Sequence, residues 1–356
     1  MIMKMKIMTH FCNCAVLALL SLAACTEIPG DKSKPEWKES ASGVWEISVG
    51  KPEKLNLLSE LGLHPKWDAI NAMPKADLPV DRDEIRFEEV DGKTYIRFPL
   101  DKGEKIFGLG LNFKTVEQRG RILELHVDHY GGKDNGRTHA PVPFFVSSKG
   151  YGAFINSARY IKAYVGTGVR KDTKNPPEVQ DRNTDPGWSA QPYSDNLEFL
   201  VPAEGVEVVL FAGQDMQDVV RRFNLFNGGG VLPPKWGLGF WHRVPTLFTD
   251  RQVQDEIAEF RKRGFPLTVI GLEPGWMSRA YPCTYEWDAT RFPEPGKFVN
   301  DLLQKHIRTN LWFNPGVSPE CEIRDAIEPY TASHTEWNGL IPDYRMPEAR
   351  RIMLDH

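Results

Sequence analysis

Apolar residues in the stretch 44–232 follow the short, often alternating pattern of β-strands. Between the apolar runs stand Gly, Pro, Asn and Asp, the residues that favour turns. The clearest runs are Val44–Val49, Ile85–Phe87, Thr94–Phe98, Val142–Val146, Tyr151–Ile155 and Val206–Phe211. This pattern predicts an all-β sandwich for residues 44–232. Helical spacing between Met216 and Phe223 predicts one helix near its end, which the glycines at 228–230 terminate.

The pattern changes after Pro233, where strand-like and helix-like segments begin to alternate. The segments in chain order are a buried strand at Trp236–Trp241, a helix carrying Val253, Ile257 and Phe260, a strand at Leu267–Leu272, a helix carrying Phe298 and Leu302, and a strand at Ile307–Phe313. Thr249 and Gln252 have the spacing of a capping box at the first helix. Alternating strands and helices of this kind predict a parallel sheet.

The length of this second part predicts that its fold is incomplete. A closed (β/α)8 barrel takes about 250 residues, and residues 233–356 supply about half of that. Three parallel strands alone would leave open edges and an uncovered apolar face. The chain also ends within a predicted helix that begins at Pro347. We therefore expect residues 233–356 to be the first part of a truncated barrel.

The N-terminus predicts export and a lipid anchor. Lys4 and Lys6 precede an apolar run that is too short to span a bilayer, which is typical of a signal peptide at residues 1–24. The run ends in Leu-Ala-Ala-Cys25, which resembles a bacterial lipobox. Lipidation of Cys25 would tether the protein through a polar linker, residues 25–43, to a bacterial membrane facing the periplasm or the cell surface. A plain secretory signal with an incidental cysteine is the alternative.

The remaining cysteines and the overall charge narrow the function further. After removal of the signal and lipidation of Cys25, only Cys283 and Cys321 stay as thiols, and whether they pair is left open. A formal net charge of −4 without long runs of one sign gives no electrostatic basis for binding nucleic acid. We therefore predict no nucleic-acid partner.

One loop of the sandwich is rich in residues that could bind a metal or touch a substrate. The residues are His126, Asp128, His129, Asp134 and His139. Their irregular spacing matches no metal-binding motif, so we predict neither a metal site nor a cofactor. A solvated turn is the simpler interpretation, and a substrate contact by Asp134 or His139 is the other.

Five segments of the chain resemble glycoside hydrolase family 31, the family of α-glucosidases, α-xylosidases and α-galactosidases. They are Phe107–Leu111 with Arg119–Gly120, Pro143–Gly152, Leu232–Trp241, Arg291–Pro295 and Asn310–Pro315. Their order and spacing agree with the family from about residue 44 to the end. The resemblance implies a galactose-mutarotase-like β-sandwich followed by a TIM barrel, in a retaining exo-α-glycosidase that acts on α-linked oligosaccharides.

The resemblance also implies where the reacting carboxylates belong. A retaining glycosidase uses a nucleophile and an acid/base whose carboxyl groups are about 5–5.5 Å apart. In the family, an Asp on the fourth barrel strand is the nucleophile, and the acid/base Asp lies further along. The segment Asp343–Arg350 resembles the sequence that immediately precedes the nucleophile strand in the family. We therefore expect both catalytic residues beyond His356, and predict that the chain as given is inactive.

The sugar pocket should be rimmed by residues that follow the barrel strands, because these ends form the active site of TIM barrels. The candidate substrate-binding residues are Glu273, Trp276, Trp241, His242, Trp312 and Asn314. Glu273 stands where the family has an Asp that binds glucose hydroxyls, and Gly275 stands where it has a second Asp. These departures favour a hexose other than glucose, and the segment is similar to α-galactosidase-like members.

Each of these candidates has a purely structural alternative. The tryptophans either stack on a sugar or fill the barrel, and His242 either binds a hydroxyl or is a packed core histidine. Asn314 either contacts sugar or orders its loop, and Glu273 could be held by a neighbouring strand. For the whole protein, a surface lipoprotein that binds glycans without catalysis is the alternative function. A metal-dependent hydrolase that uses the His/Asp loop is a third.

Overall fold

The first part of the chain is a sandwich of two antiparallel β-sheets. The computed structural model describes residues 35–128, 135–168, 179–190 and 193–356. The strands of the first part are β1 Lys38–Ala41, β2 Val44–Gly50, β3 Arg86–Val90, β4 Lys93–Pro99, β5 Ile106–Gly108, β6 Arg121–Leu125, β7 Phe144–Ser147, β8 Tyr151–Asn156, β9 Ile161–Thr167, β10 Tyr193–Val201 and β11 Gly205–Ala212. One sheet has the order β1-β2-β11-β8-β7-β5 and the other β3-β4-β10-β9-β6. The predicted β-sandwich is therefore confirmed.

The sandwich core forms because apolar side chains alternate along its strands. In β11, Val206, Val208 and Leu210 belong to the core between the sheets, whereas Val209 and Phe211 face the opposite side of their sheet. Aromatic rings join the two sheets, as in the edge-to-face contact of Phe98 with Phe145, whose ring centroids are 5.2 Å apart.

The outer side of the six-stranded sheet is covered by helices. The helices of the first part are α1 Leu57–Leu61, α2 Trp67–Asn71 and α3 Met216–Phe226. The predicted helix is α3, and its Phe223 stacks on Phe144 with centroids 3.7 Å apart. This second layer explains why every residue of β8 is buried. Neither α1 nor α2 was predicted, because five-residue helices carry too little periodicity to read.

The sandwich begins before residue 44, where the sequence predicted its first residue. Strand β1, Lys38–Ala41, pairs antiparallel with β2. It lies inside the segment 25–43 that was predicted to be a linker. The strand was not predicted because β1 is an edge strand of largely polar composition. The predicted signal peptide 1–24 and Cys25 lie outside the described residues.

The second part of the chain is a three-stranded parallel sheet with helices between its strands. Its elements are β12 Phe240–Arg243, α4 Asp250–Lys262, β13 Leu267–Leu272, α5 Pro295–Gln304, β14 Arg308–Leu311, α6 Arg324–Ile327 and α7 Pro347–Asp355. The strand order is β12-β13-β14, with both pairs parallel. The capping box of α4 forms as predicted, because Thr249 and Gln252 each accept the other's backbone N–H. The predicted barrel-like β-α repeat is confirmed.

The first strand of this sheet differs from the prediction. Residues 235–238 form a 3-10 turn, and the strand begins only at Phe240. The predicted strand Trp236–Trp241 was expected to be buried, but Leu238 is 71% exposed and Trp241 is 46% exposed. The prediction was wrong because β12 is an edge strand in the part of the chain that the structure describes, so only one side of it is covered.

Two further features concern membranes and thiols. Among the described residues, no helix has the length and apolarity needed to cross a bilayer. Cys283 and Cys321 are both buried and unpaired thiols. Burial is the main cause that raises the pKa of each thiol.

Candidate active site

The C-terminal ends of the parallel strands bring several polar and aromatic side chains to one edge of the sheet. Arg243 ends β12, Glu273 follows β13, and Trp312 follows β14. Arg243 is paired in register with Gly271, and the backbone N–H of Trp312 donates to the carbonyl of Leu272 at 3.0 Å. We call this edge, with Trp241, Arg243, Glu273 and Trp312, the strand-end site. Such edges carry the active sites of α/β barrels.

Alternation along β12 divides its side chains between the strand-end site and α4. The rings of Phe240 and His242 pack against Phe260 of α4, with centroids 5.7 and 4.5 Å apart. Trp241 and Arg243 therefore lie on the opposite side. The Nε2 atom of His242 is 3.2 Å from a carboxylate oxygen of Glu256, also on α4. His242, a candidate for binding sugar, therefore packs against α4. The alternation of side chains along β12 places it on the side away from the strand-end site.

Glu273 and Arg243 form an ion pair across the two strands. The Nη2 atom of Arg243 contacts Oε1 of Glu273, and the side chain of Glu273 is 25% exposed. Gly271 makes this contact possible, because a Cβ there would come within 3.0 Å of the Arg243 stem. Arg243 was not among the site residues predicted from the sequence. Its position two residues after Trp241, on the same side of the strand, was the available signal.

Gly275 leaves no room for a second carboxylate at the strand-end site. Residues 274–276 form a 3-10 turn directly after Glu273. A Cβ on Gly275 would lie 1.9 Å from the backbone oxygen of Thr246, in the loop after β12. The Gly at this position is therefore required by the close approach of the two loops.

Trp276 is a core residue and does not face the strand-end site. It is 5% exposed and packs edge-to-face on Trp287, with centroids 5.0 Å apart. Its indole N–H donates to the backbone oxygen of Trp312 at 2.7 Å, which ties the ends of β13 and β14 together. The burial of Trp276 favours the alternative in which its ring fills the core, because the 3-10 turn directs the ring there.

The other predicted residues remain near the site. Trp241 is 46% exposed, and its Nε1 donates to the carbonyl of Gly237 at 3.0 Å. Trp312 is half-buried and packs beside Tyr281, with centroids 5.2 Å apart. Asn314 is buried, and its Oδ1 accepts the N–H of Gly316 at 2.9 Å. The Nδ2 of Asn314 is buried without a hydrogen-bond partner in the described part of the chain.

The His/Asp loop of the sandwich does not gather its residues into a metal site where the structure describes it. His126 stacks on Tyr160, with centroids 3.9 Å apart, and Asp128 accepts from Asn135 at 3.0 Å. His139 packs edge-to-face on Phe113 at 5.5 Å. His129 and Asp134 lie outside the described residues. Within the ranges described, no three His, Cys, Asp or Glu side chains are placed to hold a metal ion.

Comparison with known proteins agrees with this architecture. The model of the glycosyl hydrolases family 31 TIM-barrel domain matches residues 230–355. The model of the glycosyl hydrolase 31 N-terminal galactose mutarotase-like domain matches residues 31–162.

Similar proteins include two α-xylosidases. That of Emericella nidulans is 26% identical over 242 residues, which cover 67% of this chain and 28% of the fungal protein. The α-xylosidase XylQ of Lactiplantibacillus pentosus is 24% identical over 65% of this chain and 27% of its own length. The chain thus spans less than a third of these two relatives.

A solved structure with a similar fold is the Flavobacterium johnsoniae dextranase of the same family, complexed with glucose. It superimposes with a TM-score of 0.64 and 18% identity over 88% of this chain and 42% of the dextranase. Both domain models name the same family, and together they match most of the chain. The chain belongs to glycoside hydrolase family 31.

Proposed function

We propose that the protein is a retaining exo-α-glycosidase and that the strand-end site holds its sugar. The observation that carries the proposal is the Arg243–Glu273 pair, which presents N–H donors and carboxylate acceptors side by side at the C-terminal edge of a parallel sheet. Neighbouring hydroxyls of a pyranose need such a combination of donors and acceptors. The matched relatives, which carry the names α-xylosidase and α-glucosidase, support the reaction class.

The remaining residues of the site complete a sugar pocket in this proposal. The exposed ring of Trp241 and the half-buried ring of Trp312 offer apolar surfaces on which the C–H face of a pyranose stacks. The two reacting carboxylates belong, in this proposal, to sequence beyond His356. The relatives extend well beyond the length that this chain spans.

We further propose that the sugar is a hexose other than glucose, with an α-galactoside as the first candidate. Glu273 is one methylene longer than the Asp that the family resemblance leads one to expect, which moves the carboxylate further from the backbone. Gly275 removes a second carboxylate, and the oxygen of Thr246 excludes any side chain there. Both changes alter which hydroxyls are held.

The reaction is tested with the protein expressed from the complete reading frame. Nitrophenyl α-glycosides of galactose, glucose and xylose are compared, and the anomer released first is followed by proton NMR. The proposal predicts turnover, fastest with the α-galactoside, and α-anomer as the first product. Release of the β-anomer first would refute a retaining mechanism. Fastest turnover of the xyloside or the glucoside would refute the sugar assignment alone. Glycan binding without any turnover would instead favour a binding lipoprotein.

Export and lipid anchoring at Cys25 remain a separate proposal, supported by the signal-like residues 1–24. Metabolic labelling with a radioactive fatty acid tests it. Label in the wild type but not in Cys25→Ser is the expected result, and label in neither would contradict the proposal.

A further inference from the structure

A tight turn beside the strand-end site presents an exposed tyrosine between two tryptophans. Ala280 and Cys283 form an antiparallel bridge, which places Tyr281 at the tip of the turn. Tyr281 is 56% exposed. Its ring centroid is 5.2 Å from that of Trp312 and 5.5 Å from that of Trp337. Three aromatic side chains from separate loops therefore meet at one surface position.

The turn is held in place by the neighbouring loop. The backbone N–H of Cys283 donates to the carbonyl of Gly316 at 2.8 Å, and its carbonyl accepts from Ser318 at 2.8 Å. A Cβ on Gly339 would come within 2.8 Å of Pro282 and of the Gly316 backbone. Because these loops are this closely packed, the backbone of the turn that carries Tyr281 is fixed before any ligand arrives, which lowers the ordering entropy lost on binding.

The aromatic group adjoins the proposed sugar site. Trp312, which packs against Tyr281, is hydrogen-bonded through its backbone to Leu272, the residue before Glu273. The pKa of the Tyr281 phenol is raised, first by burial, then by Cys283 and by the negative charge of Glu273. The influence of Glu273 on the phenol agrees with their closeness in space.

We propose that Tyr281, flanked by Trp312 and Trp337, binds the second sugar ring of an α-linked oligosaccharide whose first ring lies at Arg243 and Glu273. An aromatic face attracts the C–H groups of a pyranose ring, and a tyrosine keeps its hydroxyl in water while its ring makes this contact. In this proposal the first ring contacts Trp312 but not Tyr281, so Tyr281 acts on disaccharides and longer chains. This inference deepens the proposed function and rests on the sugar site assigned there.

Binding to the chain of residues 1–356, which we predict to be inactive, tests the platform without interference from hydrolysis. Ligand-observed NMR titrations give the Kd of melibiose against methyl α-galactoside, and of isomaltose against methyl α-glucoside. In the wild type, at least one disaccharide is expected to bind about tenfold more tightly than its single-ring partner. Tyr281→Ala should reduce that ratio to about one, and Tyr281→Phe should preserve it, because the ring and not the hydroxyl makes the contact. Tyr160→Ala, which removes an exposed tyrosine of the sandwich, is the matched control.

Several outcomes would overturn the proposal. They are a wild-type ratio near one for both pairs, an equal loss of single-ring and disaccharide affinity in Tyr281→Ala, and no binding of any of the four sugars. The proposed function fails separately. Disaccharide preference without turnover by the complete protein would support the Tyr281 platform and refute the hydrolase function. Turnover without disaccharide preference would support the hydrolase function and refute the platform.

Discussion

The guanidinium of Arg243 contacts the carboxylate of Glu273 across two neighbouring parallel strands. Their alignment follows from the register, because Arg243 lies opposite Gly271 and Glu273 is two residues further on. Each residue thus fixes the direction in which the other can meet a sugar. A carboxylate held by a cation in this way is oriented before the substrate binds.

Replacing Arg243 by Met should weaken sugar binding by about ten- to a hundredfold, because a charge-assisted hydrogen bond contributes about 1.5–3 kcal/mol. The Kd of the preferred methyl α-glycoside, measured by NMR titration, checks this. Arg279→Met is the matched control, since Arg279 pairs with Glu320 on the surface with both side chains more than half exposed. Equal effects of the two substitutions would contradict a role of Arg243 in binding.

Replacing Trp276 by Ala should destabilise the fold by about 3–5 kcal/mol, because it leaves a cavity in the core. Trp241→Ala should cost about 0.5 kcal/mol or less, because that ring is 46% exposed. Urea unfolding followed by circular dichroism measures both. Similar losses for the two variants would show that Trp241 is also packed as a core residue, which would argue against its role as a sugar surface.

Replacing Gly275 by Ala should destabilise the protein by about 1–3 kcal/mol or more, since the added Cβ meets the oxygen of Thr246. Gly296→Ala is the control. Gly296 lies in the first turn of α5 with open space around it, so the same change there should stabilise by about 0.4–1 kcal/mol. Thermal unfolding compares the variants, and unchanged stability of Gly275→Ala would contradict the close approach of the two loops.

Acid should weaken the fold partly through Asp343. Its carboxylate accepts hydrogen bonds from Nε, Nη2 and the backbone N–H of Arg345. The side-chain bond and then the backbone bond lower the pKa of Asp343 from 3.8 to about 2. Because the folded-state pKa is the lower one, the stabilisation is complete above pH about 4 and is lost as the pH falls towards about 2.

Asp343→Asn should therefore flatten the decline in stability between pH 4 and 2. Urea midpoints measured across this range test the expectation. Arg351→Gln is the control, since Arg351 is 3.6 Å from Asp355 and both side chains are about 70% exposed. A decline as steep in Asp343→Asn as in the wild type would contradict the prediction.

The sequence predicted the strands and helices better than it predicted which way their side chains point. Val206–Phe211 and the Thr249 capping box were readable because each depends on residues close together in the chain. The direction of the His242 side chain could not be predicted, because aromatic residues occur on both sides of the four-residue strand β12. Only the contacts of Phe240 and His242 with Phe260 decide which phase faces the helix.

The candidate site was predicted only in part, because several of its contacts join residues that are far apart in the chain. Glu273 was found because it directly follows a clear apolar strand. The sequence left two roles open for Trp276, because it does not show that a turn of three residues directs the ring into the core. Tyr281 and Trp337 are 56 residues apart in the chain, and no local pattern shows that their rings meet. Arg243 was missed because its partner lies on the next strand.

The central claim is that the sugar is held on the side of the sheet that carries Glu273, and the two carboxylates that contact side chains of β12 test it. Glu273 lies at the strand-end site, and Glu256 lies on α4 beside His242. The measurement is kcat/KM of the protein from the complete reading frame on its preferred nitrophenyl α-glycoside. Our account predicts a fall of about a hundredfold or more in Glu273→Ala and no more than about a twofold change in Glu256→Ala. Wild-type kcat/KM in Glu273→Ala, or an equal loss in both variants, would contradict it.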